Sequence, residues 1–122
     1  MAYLHTDVLD LGLTEITKIT DLHICSGEPV TYADVATLSI GMKTSPLVGP
    51  VAGLPEGYGR GVTLSGITDG EGTAAGTATH WAVIDSGTSR LLAAKSLFVP
   101  VNVADGNIFT LTEFTIGIPF PL

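Results

Sequence analysis

Cys25 is the lone cysteine in 122 residues, so no intrachain disulfide can staple the fold. The chain must stand on its core, and its length allows that: a domain this size buries roughly two-thirds of its unfolded surface. Cys25 itself is expected to behave as a small buried hydrophobe. Charge is also scarce, at 14% of residues against about 25% in an average domain. Basic residues are scarcer still. Lys18, Lys43, Arg60, Arg90 and Lys95 lie scattered against 12 acidic residues, for a net charge of −7. That balance argues against nucleic acid as a partner, because binding needs clustered cations to displace phosphate counterions. No stretch approaches the ~18 to 20 apolar residues of a membrane span. The amino terminus MAYLHTDVLD lacks the basic-then-apolar pattern of a signal peptide. No membrane partner is expected, and folding is expected in a reducing cytoplasm.

What is present is apolar and small. The hydrophobic fraction is 45%, with 15 glycines among many Thr, Ser and Ala. One reading is a β domain with a neutral, Thr-rich exterior. The other is a surface that faces further subunits, where charge is depleted.

The length fits one domain over residues 1–122. Thr6 is a candidate N-cap, and Asp7 and Asp10 suit the positive end of a helix dipole. Val8, Leu9, Leu11, Leu13, Ile16 and Ile19 follow at helical spacing. A helix is therefore expected near 7–18, weakened by about 1 kcal/mol at Gly12. Alternation predicts strands at 20–25, 38–43, 61–67, 77–84, 90–97, 108–111 and 114–118. Tyr32 to Val35 suits one short helical turn. Val99 to Val103 holds Pro100, which places it on a sheet edge. A bulge at Thr112 and Glu113 would keep Phe109, Leu111, Phe114, Ile116 and Ile118 on one core face. The segment 45–61 has three prolines and five glycines and reads as a long exposed loop. Residues 68–76 read as a second glycine-rich loop, and 119–122 as a proline-containing tail leaving the sheet. The expected fold is mainly β: an antiparallel sandwich or barrel-like domain with one amino-terminal helix and long Pro/Gly-rich loops.

Candidate chemistry fails residue by residue. His23 and Cys25 share a strand face, but structural zinc needs four ligands and no second pair is at hand. His80, beside Trp81, reads as a strand histidine. Asp69 and Glu71 lack the further oxygen ligands of a calcium loop. Gly57-Tyr58-Gly59-Arg60-Gly61 holds no nucleophile, and it neither follows a strand nor opens a helix. No catalytic residue, metal or cofactor is expected. Contacts to a partner are expected instead from the long loop, at Pro46, Pro50, Pro55, Tyr58 and Arg60, and from Phe120 in the tail.

Three stretches carry a resemblance. The first runs Val8-Leu9-Asp10-Leu11-Gly12-Leu13 into Asp21-Leu22-His23-Ile24-Cys25-Ser26-Gly27-Glu28-Pro29 and Thr31-Tyr32-Ala33. The second is Gly76-Thr77-Ala78-Thr79-His80-Trp81-Ala82 with Arg90-Leu91-Leu92-Ala93-Ala94. The third is Gly106-Asn107-Ile108-Phe109-Thr110-Leu111 with Phe114-Thr115-Ile116-Gly117-Ile118-Pro119. Together they resemble a family of small, uncharacterised virion structural proteins encoded by tailed bacteriophages and prophages. The resemblance spans most of the chain, and Gly27 and Val30 place variation in a turn rather than a strand. It implies a non-enzymatic part of the virion, made in the host cytoplasm. A capsid decoration (cement) protein on the head lattice fits best. Its partners would be the major capsid protein or other virion proteins and further copies of itself, with a trimer favoured. A tail, collar or fibre-associated subunit is the alternative, followed by a binding module or an enzyme outside the virion. The family supplies no catalytic residues to carry over.

Overall fold

The computed structural model describes residues 6–54 and 59–119, and the side chains of 11–54 and 59–118 within them. In chain order the elements are α1 (Thr6–Ile16), β1 (Asp21–Cys25), α2 (Tyr32–Leu38), β2 (Ser39–Thr44), β3 (Ala52–Gly53), β4 (Gly59–Leu64), β5 (Ile67–Gly72), β6 (Gly76–Asp85), β7 (Arg90–Val103), β8 (Ile108–Leu111) and β9 (Phe114–Pro119). The protein is mainly β, as the alternation predicts. Every strand pairing is antiparallel. Six strands form one sheet in the order β7-β6-β1-β2-β5-β8, and three form a second in the order β3-β4-β9.

The large sheet curls into a half-barrel, so its edge strands β7 and β8 approach each other. Its inner face carries Leu22 and Ile24 of β1, Ile40 of β2, Ile67 of β5, Trp81 and Val83 of β6, and Phe109 of β8. Leu64 of β4 completes this cluster, with Phe114 and Ile116 of β9 packed against it. The small sheet thus closes the open side of the curl, and burial of these apolar faces is the main stabilising term. Helix α1 fills one end. Leu13 and Ile16 are buried with Val62, against Leu92, Ala93, Ile116 and Ile118. The short helix α2 covers the outer face, where Val35 packs on Cys25, Ala82 and Ile84.

Several expectations need correction. Helix α1 stops at Ile16, and the amides of Thr17, Lys18 and Ile19 bond the carbonyls three residues back, a tightened last turn. Leu11, at helical spacing, is 70% exposed. The turn at Tyr32 is a two-turn helix because Thr31 and Asp34 form a reciprocal capping box. A second helix therefore joins the amino-terminal one. The loop expected at 68–76 is mostly strand β5. The segment 45–61 is not an exposed arm in its described part. Val48 bridges Leu64, the Gly49 amide bonds the Thr63 carbonyl, and β3 pairs with β4. Strand β9 runs through Pro119, the first residue of the expected tail; 120–122 lie outside the described residues. Phe109, Leu111, Phe114, Ile116 and Ile118 all pack on the core. The break at Thr112 and Glu113 is a crossing from one sheet to the other rather than a bulge within one strand.

Candidate interaction surface

The β6–β7 hairpin has unequal arms. Strand β7 has 14 residues against the 10 of β6, so four residues of β7 must stand out of register. One surplus residue is absorbed where Val83 pairs with Ala93 and Ile84 with Leu91. That bulge turns both Leu92 and Ala93 onto the inner clusters. The other three are absorbed at a single place: Ala78 pairs with Val101 and His80 with Ser96, so Leu97-Phe98-Val99-Pro100 stand opposite Thr79 alone. Pro100 lacks an amide hydrogen and suits this unpaired position on an edge strand.

The displaced segment is apolar and projects outward. Phe98 is 103% exposed relative to a free residue, and Val99 64%. Beside it lies a cleft of about 360 Å³ lined by Trp81, Leu97, Phe98, Val99, Val101, Leu111 and Phe114, with Thr110, Thr112 and Glu113 as its polar side. A second cleft of about 390 Å³ on the other side adds Lys95, Ser96 and Thr115. Both share the Trp81–Phe114 pair, whose ring centroids are 4.5 Å apart at 32°, a tilted stack that stiffens the floor. The exposed Phe98 ring between two partly apolar clefts makes this segment the candidate interaction surface among the described residues.

The expected partner contacts lie elsewhere or are not exposed. Pro46 is buried. It lines a mainly polar cleft of about 380 Å³ with Lys43 and Asp69, whose charges pair at 2.9 Å. Pro50 is exposed just before β3. Arg60 is half-buried in β4, paired in register with Gly53 and Ile118, and so is no loop cation. Pro55, Tyr58 and Phe120 lie outside the described residues. Sequence reasoning missed Phe98. The signal was available: the apolar run Leu97-Phe98-Val99 before Pro100, in a hairpin arm longer than its partner.

The polar candidates are satisfied internally. The His23 Nδ1 and Ser39 Oγ are 2.7 Å apart, and burial pushes the His23 pKa below the ordinary imidazole value. Cys25 is fully buried, and burial pushes its thiol up to about 11. A thiol-specific reagent at pH 8 should therefore leave the folded protein unmodified and label Cys25 fully in denaturant; rapid labelling of the native form would contradict the packing under α2. Asp69 and Glu71 sit on strand β5, not in a turn. Among the described residues, no cluster of three or more His, Cys, Asp or Glu is placed to hold a metal ion.

One ionic cluster ties the end of the sandwich together. Asp85 accepts from Gly87 N at 3.1 Å, Thr88 Oγ1 at 3.0 Å and Arg90 Nη2 at 3.2 Å, while Arg90 Nη1 reaches Glu15 of α1 at 3.0 Å. The hydrogen bonds from Thr88 and then Arg90 hold the Asp85 pKa below its ordinary value. Those from Lys18 and Arg90 do the same for Glu15. The unfolded chain then binds more protons than the folded one as the pH drops through the carboxylate range. The stability these carboxylates supply is present above their unfolded pKa values and is lost as pH falls through the folded ones. His23 adds a loss of the same sign at higher pH, below the ordinary imidazole value, since it is held neutral when folded. Denaturant midpoints should fall in two stages on acidification; Asp85→Asn should flatten the lower stage, and an unchanged lower stage would contradict the network.

No protein-family model, curated protein or solved structure matches the chain in the comparisons made.

Proposed function

We propose that this chain is a structural subunit of a tailed-bacteriophage particle, in first place a capsid decoration protein that binds the head lattice through protein–protein contacts. One observation carries the reading: the Phe98 bulge and its clefts. Large exposed apolar groups grouped over a stiff floor mark surfaces that meet another protein. The resemblance gives the surface its setting. Its stretches supply Trp81 on β6, Leu111 on β8 and Phe114 on β9, three of the residues lining the cleft of about 360 Å³. The segments that resemble virion proteins thus supply part of the cleft walls, while the Phe98 bulge itself lies between them. A low-charge exterior fits the same reading, because charge is depleted at interface cores.

Quantitative mass spectrometry of purified virions tests it. A copy number matching the capsid subunits supports the head assignment. The low copy number of a tail ring, collar or fibre moves the chain there. Absence from the particle overturns the structural reading.

A further inference from the structure

Resting on the assembly reading, and giving its partner a form, we infer that the gap between β7 and β8 takes an extended apolar segment of another protein as an added strand on β8. Strands β7 and β8 are the two ends of the six-stranded sheet, and the curl brings them near each other. They meet at the turn where the Asn107 amide bonds the Ala104 carbonyl at 3.1 Å. From there they part, β7 to pair with β6 and β8 with β5. The Phe98 cleft opens where they part. Leu97, Phe98 and Val99 form one wall, Thr110 and Glu113 the other, and Trp81 the floor.

The backbone of β8 selects the occupant. The Gly72 amide of β5 donates to the Asn107 carbonyl at 2.7 Å, which fixes the sense of the strand. Backbone groups alternate along a strand. Phe109 and Leu111, opposite Gly70 and Ile67, therefore turn theirs to β5, and Ile108 and Thr110 turn theirs to the open side. Among the described residues no strand pairs with β8 there. An extended chain can satisfy such a row of groups, whereas a helix has already bonded its own. The β7 wall cannot act in the same way, because Leu97-Phe98-Val99-Pro100 stand out of register opposite Thr79 and Pro100 has no amide hydrogen. It contributes side chains instead. Alternate residues of the added strand should face Trp81 and Phe114 and so be apolar. Glu113 is exposed at the rim of a chain of net charge −7, which favours a basic flank on the segment. The alternating apolar strands of this chain are already paired in its own two sheets, so the segment comes from a different protein.

A short synthetic peptide alternating valine and threonine between terminal lysines tests this on the isolated protein. In amide hydrogen exchange followed by NMR, Ile108 and Thr110 should exchange faster than Phe109 and Leu111 without peptide, and should slow by about tenfold or more at saturation. Thr110→Pro removes one outward amide and none that faces β5. It should fold, by circular dichroism and thermal midpoint, and lose the peptide. The exchange readout on the unaltered protein stands even if that variant does not fold. Three results would each overturn strand addition by another protein. One is no binding at the highest soluble peptide concentration. Another is binding that leaves both amides unprotected, or that a folded Thr110→Pro retains. The third is protection of the same amides by rising protein concentration alone, which makes a second copy the occupant. The readout is independent of the particle. A chain absent from virions yet passing this test fails the assembly reading alone, and a chain present in virions that fails the test loses only the added strand.

Discussion

Phe109→Ala is expected to lower the unfolding free energy by about 3–5 kcal/mol, the range for removing a buried aromatic ring. Phe109 is 3% exposed in the main cluster, but its neighbours make the loss severe. The ring lies over two glycines on successive strands of the sheet. A Cβ added at Gly41 of β2 would stand 2.9 Å from the ring's Cε1 and 3.0 Å from Ile24 Cγ1, and one at Gly70 of β5 would collide with the ring at Cζ. Two side chains are therefore missing so that one ring can cover both strands. Without the ring, no side chain from Gly41 or Gly70 is there to fill the cavity, and a site that collapses poorly costs more. This gives a test sharper than the single substitution. Gly70→Ala alone should destabilise through overpacking. In the Phe109→Ala background the same methyl enters vacated space and should stabilise. A double-mutant cycle in urea should show that reversal, whereas additive effects would contradict the packing of ring on glycine.

The second large effect lies at the turn joining β7 to β8. A Cβ at Gly72 would collide with the Ala104 carbonyl oxygen and stand 2.8 Å from that of Asn107. Both are backbone atoms, held by the bonds from Gly72 N to Asn107 O, 2.7 Å, and from Asn107 N to Ala104 O, 3.1 Å. Neither swings aside as a flexible side chain would. Gly72→Ala should cost about 1–3 kcal/mol or more, the overpacking range. Gly106, in the same turn, has open space around it but a φ of +81°, so Gly106→Ala should cost only the left-handed backbone penalty of about 1–2 kcal/mol. Gly106→Asn should recover part of it, since Asn tolerates that region. A denaturant midpoint for Gly106→Ala well below that of Gly72→Ala would overturn this account of the turn.

These glycines also explain where the sequence was misleading. Strand β5 reads Ile-Thr-Asp-Gly-Glu-Gly, and glycine at alternate positions looks like loop. In the folded protein Gly70 and Gly72 mark close approach by a ring and by a turn, and both contacts come from partners more than 30 residues away in the chain, which no local pattern reveals. The long segment at 45–61 misled for a related reason. Its prolines and glycines exclude a regular central strand, yet short edge pieces survive between them: Val48 bridges Leu64, and Ala52 and Gly53 pair with β4. Where hydrophobic alternation met no such interruption, as in β1 and in β6 beyond Gly76, the strands fell where the pattern puts them. Pro100 correctly marks an edge, but the consequence needed the pairing register. Only the register shows that the chain steps out of line there and carries Phe98 with it.

In the proposed role this edge, with Phe98 at its centre, is the surface by which the protein joins the particle. The most direct measurement is incorporation of a Phe98→Ser variant into particles, by quantitative mass spectrometry of purified virions, beside its thermal midpoint in isolation. Because Phe98 is fully exposed, the variant should fold with an unchanged midpoint and be largely lost from the particle. A variant equally stable and retained at the unaltered copy number would contradict the claim.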